Sequence, residues 1–225
     1  MSSPRPAVPD RDAYFDGWSA LHGGFDPRTA FWPRFWLGMT YRLGRPLAAR
    51  RVAPDLVTVL GVLVTALALP PAAAGGPWPL LAVVVVVASG LLDNLDGCVA
   101  VLTDRTSRWG YVVDSLADRA CDAFYLVALW LAGAPAGLCV AAGGAVVLLE
   151  YGRARAGGAG FEEIGLITVG ERPTRIVVTC FGLAFAGIVP AWADWSAGAG
   201  AAATLGVSVV GSVQYLRVAR RHLLG

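Results

Sequence analysis

At 225 residues the chain is 56% hydrophobic and only 15% charged, with a mean hydropathy of +0.59. A soluble domain carries about 25% charged residues, so this composition excludes an ordinary water-facing globule and points to the membrane. The net charge is +2, all 18 basic residues are arginine, and no basic block resembles a nucleic-acid arm, so nucleic acid is not an expected partner.

Residues 1–26 read as a flexible N-terminal segment. The first 50 residues are polar, aromatic and studded with arginine, unlike a signal peptide. Over 27–51, "PRTAFWPRFWLGMTYRLGRPLAARR" interleaves Trp, Phe and Tyr with Arg. That mixture predicts an interfacial amphipathic helix, its aromatics at headgroup level and its arginines on anionic membrane lipids. A soluble segment folded over the cytoplasmic face is the alternative. A membrane helix needs about 20 mostly apolar residues. Six stretches qualify, each bounded by Gly, Pro or Arg: 55–74, 78–100, 109–132, 136–154, 174–191 and 198–218. The expected fold is therefore an all-α integral membrane protein. Its six-helix transmembrane catalytic domain covers 52–220, and 221–225 form a cytoplasmic tail.

The connections "PPAAAGGPWP", "AGAPAG" and "PAWADWSAGAG" hold no arginine. The N-terminal region, "TDRTSR", "GRARAGGAGFEEIGLITVGERPTR" and "RVARRH" hold every arginine except Arg119, which lies within the third span. By the positive-inside rule both termini and these loops lie in the cytoplasm, which requires an even number of spans. The expected location is the cell membrane. Cys98, Cys121, Cys139 and Cys180 stand singly in apolar stretches and read as packing residues, not as a disulfide framework or zinc site. His22 and His222 lie near opposite ends and are given no catalytic role.

The chemistry concentrates in "LLDNLDGCVA", residues 91–100. Asp93 and Asp96 close the second span, while Asp114 and Asp118 open the third. A charge carried to bilayer depth costs about 2.5–3.5 kcal/mol on insertion scales, so intramembrane acids point to function. Residues at i, i+3 and i, i+4 share a helix face, so each span presents a carboxylate pair. The short loop between them makes the two helices antiparallel neighbours with their acidic ends at one depth. Converging carboxylates repel unless divalent cations neutralise them, and hard oxygen ligands suit Mg²⁺, Mn²⁺ or Ca²⁺. Mg²⁺ so bound usually completes its shell with water and substrate phosphates, which points to phosphoryl chemistry. Gly97, Ala100 and Gly110 lie beside the acids and leave room for a flat, bulky ligand. A lone Asp could simply bond a neighbouring helix; four at these spacings argue against that. Asp122 continues the face of Asp118 beside Arg119, and an internal ion pair or a ligand role are both open.

Written out, residues 93–118 read D-x2-D-G-x2-A-x9-G-x3-D-x3-D. This resembles the CDP-alcohol phosphotransferase signature, D-x2-D-G-x2-A-R-x8-G-x3-D-x3-D. One position departs: Val101 stands where the family has an Arg associated with the CDP-linked substrate, and Arg105 or Arg108 would have to compensate. "VAPDLVTVLG" is similar to the family's P-[ND]-x2-T-x2-G element of the CDP pocket, which assigns Asp55 and Thr58. "EYGRARAGGAGF" and "GERPTR" are similar to elements of actinobacterial phosphatidylinositol phosphate synthases, matching Arg153, Arg155, Glu171, Arg172 and Arg175. The similarity covers about residues 45 to 220.

The resemblance implies a Mg²⁺-dependent (or Mn²⁺-dependent) phosphatidyltransferase with CDP-diacylglycerol or a similar CDP-linked donor, releasing CMP. It implies Asp93, Asp96, Asp114 and Asp118 as metal ligands, with Asp118 also the general base. Asp55, Thr58, Gly97, Ala100, Ser107 and Gly110 are then expected around the CDP group. Arginine forks match phosphate oxygens in pairs, so Arg153, Arg155, Arg172 and Arg175 are expected on a polar, phosphorylated alcohol acceptor. As ordinary positive-inside arginines they would need no such role. Inositol phosphate is the favoured acceptor, with glycerol 3-phosphate or another alcohol as alternatives. A transporter would place acids near the bilayer midplane and show repeat symmetry, and neither is seen. A CDP-lipid-binding scaffold weakened at Val101 is a further alternative. A homodimer is permitted by small-residue faces such as "AGAGAAATLG".

Overall fold

In the computed structural model, residues 8–21, 23–161 and 167–224 are described. Residues 1–7 of the expected flexible lead, His22, Gly225 of the tail and 162–166 of the Arg-bearing loop lie outside the described residues. The described residues form nine α-helices and no strand. These are α1 (Arg11–Leu21), α2 (Phe31–Ala49), α3 (Pro54–Ala66), α4 (Leu69–Ala73) and α5 (Pro79–Leu102), then α6 (Arg108–Leu131), α7 (Ala136–Gly158), α8 (Arg172–Ile188) and α9 (Ala193–Leu224). The chain divides into two compact units, one of residues up to 61 with 91–117, the other of 62–90 with 118 onward.

In the first unit, α1 replaces part of the expected flexible segment. Its physical reason is a cap and a buried pair. Asp10 Oδ1 accepts from the Ala13 amide at 2.9 Å, satisfying an otherwise orphaned N–H. Tyr14 and Phe15 are each 1% exposed and pack with Leu37, Ala48, Cys98 and Leu102. Arg28 ties the helix down, donating to the Asp12 carbonyl and to Asp16 Oδ1, both at 2.8 Å. The expected 27–51 helix begins instead with a 3₁₀ turn, Pro27–Thr29, where Asp26 Oδ1 accepts from the Arg28 amide at 2.9 Å. α2 follows, burying Leu37, Thr40, Gly44 and Ala48 while Phe31, Trp32 and Phe35 stay exposed.

α5 stops where its chemistry ends. Asp104 adopts a left-handed φ of 52°, and the Arg105 amide donates back to the Ala100 carbonyl at 2.9 Å. Asp tolerates this conformation better than most residues, so it closes the helix as glycine commonly does. Ser107 then starts α6, its Oγ accepting from the Gly110 amide at 2.9 Å.

In the second unit, α4 is set off from α3 by tighter bonds from the Leu67 amide to the Val64 carbonyl and from Ala68 to Thr65, each 3.0 Å. Pro70 and Pro71 cannot donate, which explains the break within the first expected span. Small residues let helices approach closely. A Cβ added to Gly182 of α8 would come within 3.1 Å of Gly200 Cα on α9. The core there is built largely from alanines, among them Ala72, Ala82, Ala128, Ala142 and Ala201, with Tyr125, Leu129 and Leu183.

Among the described residues, four stretches are long and apolar enough to cross a membrane: Pro54–Ala73, Pro79–Leu102, Ala136–Gly158 and Pro190–Leu224. Six were expected. α6 carries Arg108, Asp114, Asp118, Arg119 and Asp122, and α8 has only 17 residues; composition and length set these two apart. The last helix runs on to Leu224, so the expected tail continues α9.

Candidate functional site

The first unit holds a cavity of about 790 Å³. Its walls carry the residues the sequence singled out. α3 contributes Asp55 and Thr58, α5 contributes Asp93, Asp96, Gly97 and Ala100, and α6 contributes Gly110 and Asp114. The α5–α6 connection and first turn of α6 add Arg105, Ser107 and Arg108. Val101 lines the cavity too, so both arginines available to offset it face the same space.

Within this cavity the acids differ in their surroundings. Asp96 is only 6% exposed, and Thr58 donates its hydroxyl to Asp96 Oδ2 at 2.6 Å. That short bond to a carboxylate fixes the side chain's orientation. Asp93 and Asp114 are partly buried, and one carboxylate oxygen of each lies within 4.8 Å of the other. Two acids so close, beside a third held by a hydroxyl, form the hard-oxygen donor set that Mg²⁺ or Mn²⁺ takes. The residues therefore fit a divalent metal. Gly110 is constrained: a Cβ there would meet Ser107 Oγ at 3.2 Å and Asp55 Oδ1 at 4.0 Å. Gly97 has nothing within 4 Å of an added Cβ, so it leaves open space rather than a tight contact.

The second unit gathers the other expected residues into an ionic network. Asp118 lies one helical turn beyond Asp114 in α6, and it pairs with Arg172 and, at 3.6 Å, with Arg119. Arg119 reaches Asp122 and Glu150, both at 3.2 Å, so Asp122 makes the internal ion pair that its sequence context left open. Arg175 is 2% exposed and contacts Glu150 at 2.9 Å, Asp122 at 3.2 Å and the Gly170 carbonyl at 2.8 Å. A charge so buried survives only when fully paired, and here it ties α6, α7 and α8 together. Arg153 donates to both Glu171 oxygens, at 3.1 and 2.5 Å, and to Thr168 Oγ1 at 2.9 Å. Burial works against the Glu171 carboxylate, but Arg153 and the Thr168 amide outweigh it and hold Glu171 below the usual carboxylate range. Arg155 is exposed.

Sequence reasoning missed four residues. Tyr14 and Trp18, spaced i, i+4 on α1, line the cavity. Their aromatic spacing was the available signal. Glu150 and Thr168 anchor the arginines, and an acid at the end of an apolar span, three residues before R-x-R, could have flagged Glu150.

The chain is 31% identical over 134 residues to an archaetidylinositol phosphate synthase of Pyrococcus horikoshii, covering 58% of this chain and 70% of that protein. It is 36% identical over 159 residues to a phosphatidylinositol phosphate synthase of Streptomyces avermitilis, covering 63% of this chain and 60% of that one. The fold matches a crystal structure of the Mycobacterium tuberculosis phosphatidylinositol phosphate synthase with CDP-DAG bound, at TM-score 0.65 and 24% identity, over 80% of this chain and 92% of that one. A second structure of that protein, with manganese and citrate, matches at TM-score 0.66 and 24% identity, over 80% and 88%. A sequence model described as CDP-alcohol phosphatidyltransferase matches residues 51–210, most of the length, and the chain belongs to that family.

Proposed function

We propose that this chain transfers a phosphatidyl group from CDP-diacylglycerol to a hydroxyl of a phosphorylated polar alcohol, inositol phosphate being favoured, and releases CMP. The observation that carries this reading is the cavity in whose walls Asp93, Asp96 and Asp114 meet Asp55, Thr58 and an arginine rim. The crystallised relative is named a phosphatidylinositol phosphate synthase and its structures hold CDP-DAG or manganese, which supports the donor and the metal.

Asp93, Asp96 and Asp114 would hold Mg²⁺ or Mn²⁺, with Asp118 as a further ligand. When bound, the metal offsets charge on the donor's diphosphate and on departing CMP. Thr58 fixes the Asp96 carboxylate. Gly97, Ala100 and Gly110 keep the pocket open beside the acids, and Ser107 caps the helix that carries Asp114. Asp118 takes the proton from the acceptor hydroxyl as its oxygen attacks the β-phosphorus and the bond to CMP breaks. Arg172 pairs with this carboxylate and orients it. Arg153, Arg155 and Arg172 receive the acceptor's phosphate, and Arg175 shares Glu150 with Arg153 from inside the network. Six spans, with both termini and the site in the cytoplasm of the cell membrane, leave the acyl tails in lipid while the head reaches the acids. α2 lies at the interface, its exposed Phe31, Trp32 and Phe35 suited to that depth.

The test is CMP release by purified protein given CDP-diacylglycerol and Mg²⁺ or Mn²⁺, run against inositol 1-phosphate, glycerol 3-phosphate and unphosphorylated inositol. Release is expected with the phosphorylated acceptors, fastest with inositol phosphate. Val101 favours one second reading, a CDP-lipid-binding scaffold. Tight donor binding with no CMP released from any acceptor would establish the scaffold instead.

A further inference from the structure

The helix α1 is absent from every motif that assigns the site, yet it forms part of the cavity wall. Tyr14, Trp18 and Leu21 line the same space as Asp93, Asp96 and Asp114. α1 is fixed in place rather than draped there. Tyr14 stacks on Tyr41 at 5.8 Å and 26°, Tyr41 donates its hydroxyl to the Pro9 carbonyl at 3.1 Å, and Arg28 lies 5.4 Å over the Phe15 ring.

The seat of this helix is Val101. A Cβ added to Gly17 would lie 3.0 Å from Val101 Cγ1, so the two backbones meet through a glycine and a short side chain. Val101 packs against the cluster of Tyr14 and Phe15. A long cationic side chain at 101 would occupy the ground on which α1 rests. One residue after Gly17, Trp18 presents an indole to the cavity, steadied edge-on by Phe25 at 6.3 Å and 73°. The cavity thus joins an acidic wall, two rim arginines and an aromatic wall. A ligand with phosphates and a flat ring matches all three.

We propose that α1 is a wall of the donor pocket docked on Val101, and that Trp18 is a specificity-determining residue that stacks on the nucleobase of the CDP-linked donor. This rests on the donor reading above. Stacking on an aromatic side chain tolerates any base but requires a flat face, a requirement that packing alone does not impose. Trp18 should therefore distinguish a nucleotide from the same phosphate lacking its base.

The experiment compares full-length wild type with Trp18→Leu and Trp18→Phe by calorimetric titration with CMP and with ribose 5-phosphate in the presence of Mn²⁺, alongside the KM for CDP-diacylglycerol. Trp18→Leu keeps apolar volume without a ring and should weaken CMP binding about 5- to 150-fold, the range for loss of one stacked base. The donor KM should rise in parallel, with kcat and ribose 5-phosphate affinity within about twofold of wild type. Trp18→Phe should restore most of the CMP affinity. Equal CMP affinity in wild type and Trp18→Leu overturns the inference while leaving the donor reading intact. So does a parallel loss of CMP and ribose 5-phosphate binding that Trp18→Phe does not rescue, because that pattern marks a structural role. If wild type itself shows no preference for CMP over ribose 5-phosphate, the donor reading falls first.

Discussion

Replacing Thr58 by Val removes one hydroxyl from a nearly isosteric side chain, and the structure sets the size of the effect. Thr58 donates to Asp96 Oδ2 at 2.6 Å, and Asp96 is 6% exposed, so water cannot readily take the donor's place. A hydrogen bond to a charged group contributes about 1.5–3 kcal/mol net. At about 1.4 kcal/mol per factor of ten, that is roughly 10- to 150-fold. Removing a partner that orients a metal ligand costs about 10- to 100-fold in metal affinity or activity, in line with that range. The assay is CMP release by purified protein as a function of Mn²⁺ concentration at saturating CDP-diacylglycerol and acceptor. Thr58→Val should raise the Mn²⁺ concentration for half-maximal rate at least tenfold, and Thr58→Ser should restore it. Thermal unfolding separates this from global damage: each 1 kcal/mol of lost stability shifts the midpoint by about 2–4 °C in a chain of this size. An unchanged Mn²⁺ dependence in folded Thr58→Val would refute the role given to the Thr58–Asp96 bond.

Asp118→Asn should lower kcat by about 10²- to 10⁴-fold, the range for a lost general base; full turnover would remove the base assignment. Val101→Arg overfills the seat of α1, and overpacking costs about 1–3 kcal/mol, so it should lower the unfolding midpoint without raising CMP release. A large gain in turnover would contradict the packing described for Gly17 and Val101. Glu171 has its carboxyl held down by Arg153, so the stability it contributes is present above the ordinary carboxylate value and lost as pH falls through the depressed one. Glu171→Gln should therefore flatten the acid limb of a melting-temperature profile below about pH 4 and leave its dependence near neutrality unchanged. Arg175→Met tests the buried hub: breaking one partner of a buried pair costs about 3–5 kcal/mol, read as a large fall in unfolding midpoint.

The site's acidic wall was legible because it depends on local spacing. Asp93, Asp96, Gly97 and Ala100 lie within two turns of one helix, and Gly110 and Asp114 share a face of the next. Helical periodicity alone places such residues together. α1 was not legible, because its stability comes from Tyr14 and Phe15 burying themselves on Leu37, Cys98 and Leu102, which are distant in sequence. Its polar neighbours Arg11, Asp12 and Asp16 read instead as a loose segment. The roles of the arginines followed the same division. Their type and position pointed to phosphate, but Arg175 proved to be 2% exposed and shared between Asp122 and Glu150, contacts that span tens of residues. The break between α3 and α4 at Pro70 and Pro71 was written in the sequence, yet hydropathy summed across the stretch concealed it.

Mn²⁺ bound to purified protein gives an electron paramagnetic resonance signal distinct from the free ion, and it reads the carboxylate cluster without relying on turnover. Titrating wild type, Asp93→Asn and Asp114→Asn in the presence of CMP should show saturable Mn²⁺ binding in wild type and at least a tenfold loss of affinity in each variant. Mn²⁺ binding of equal strength in all three proteins would contradict a metal held between α5 and α6.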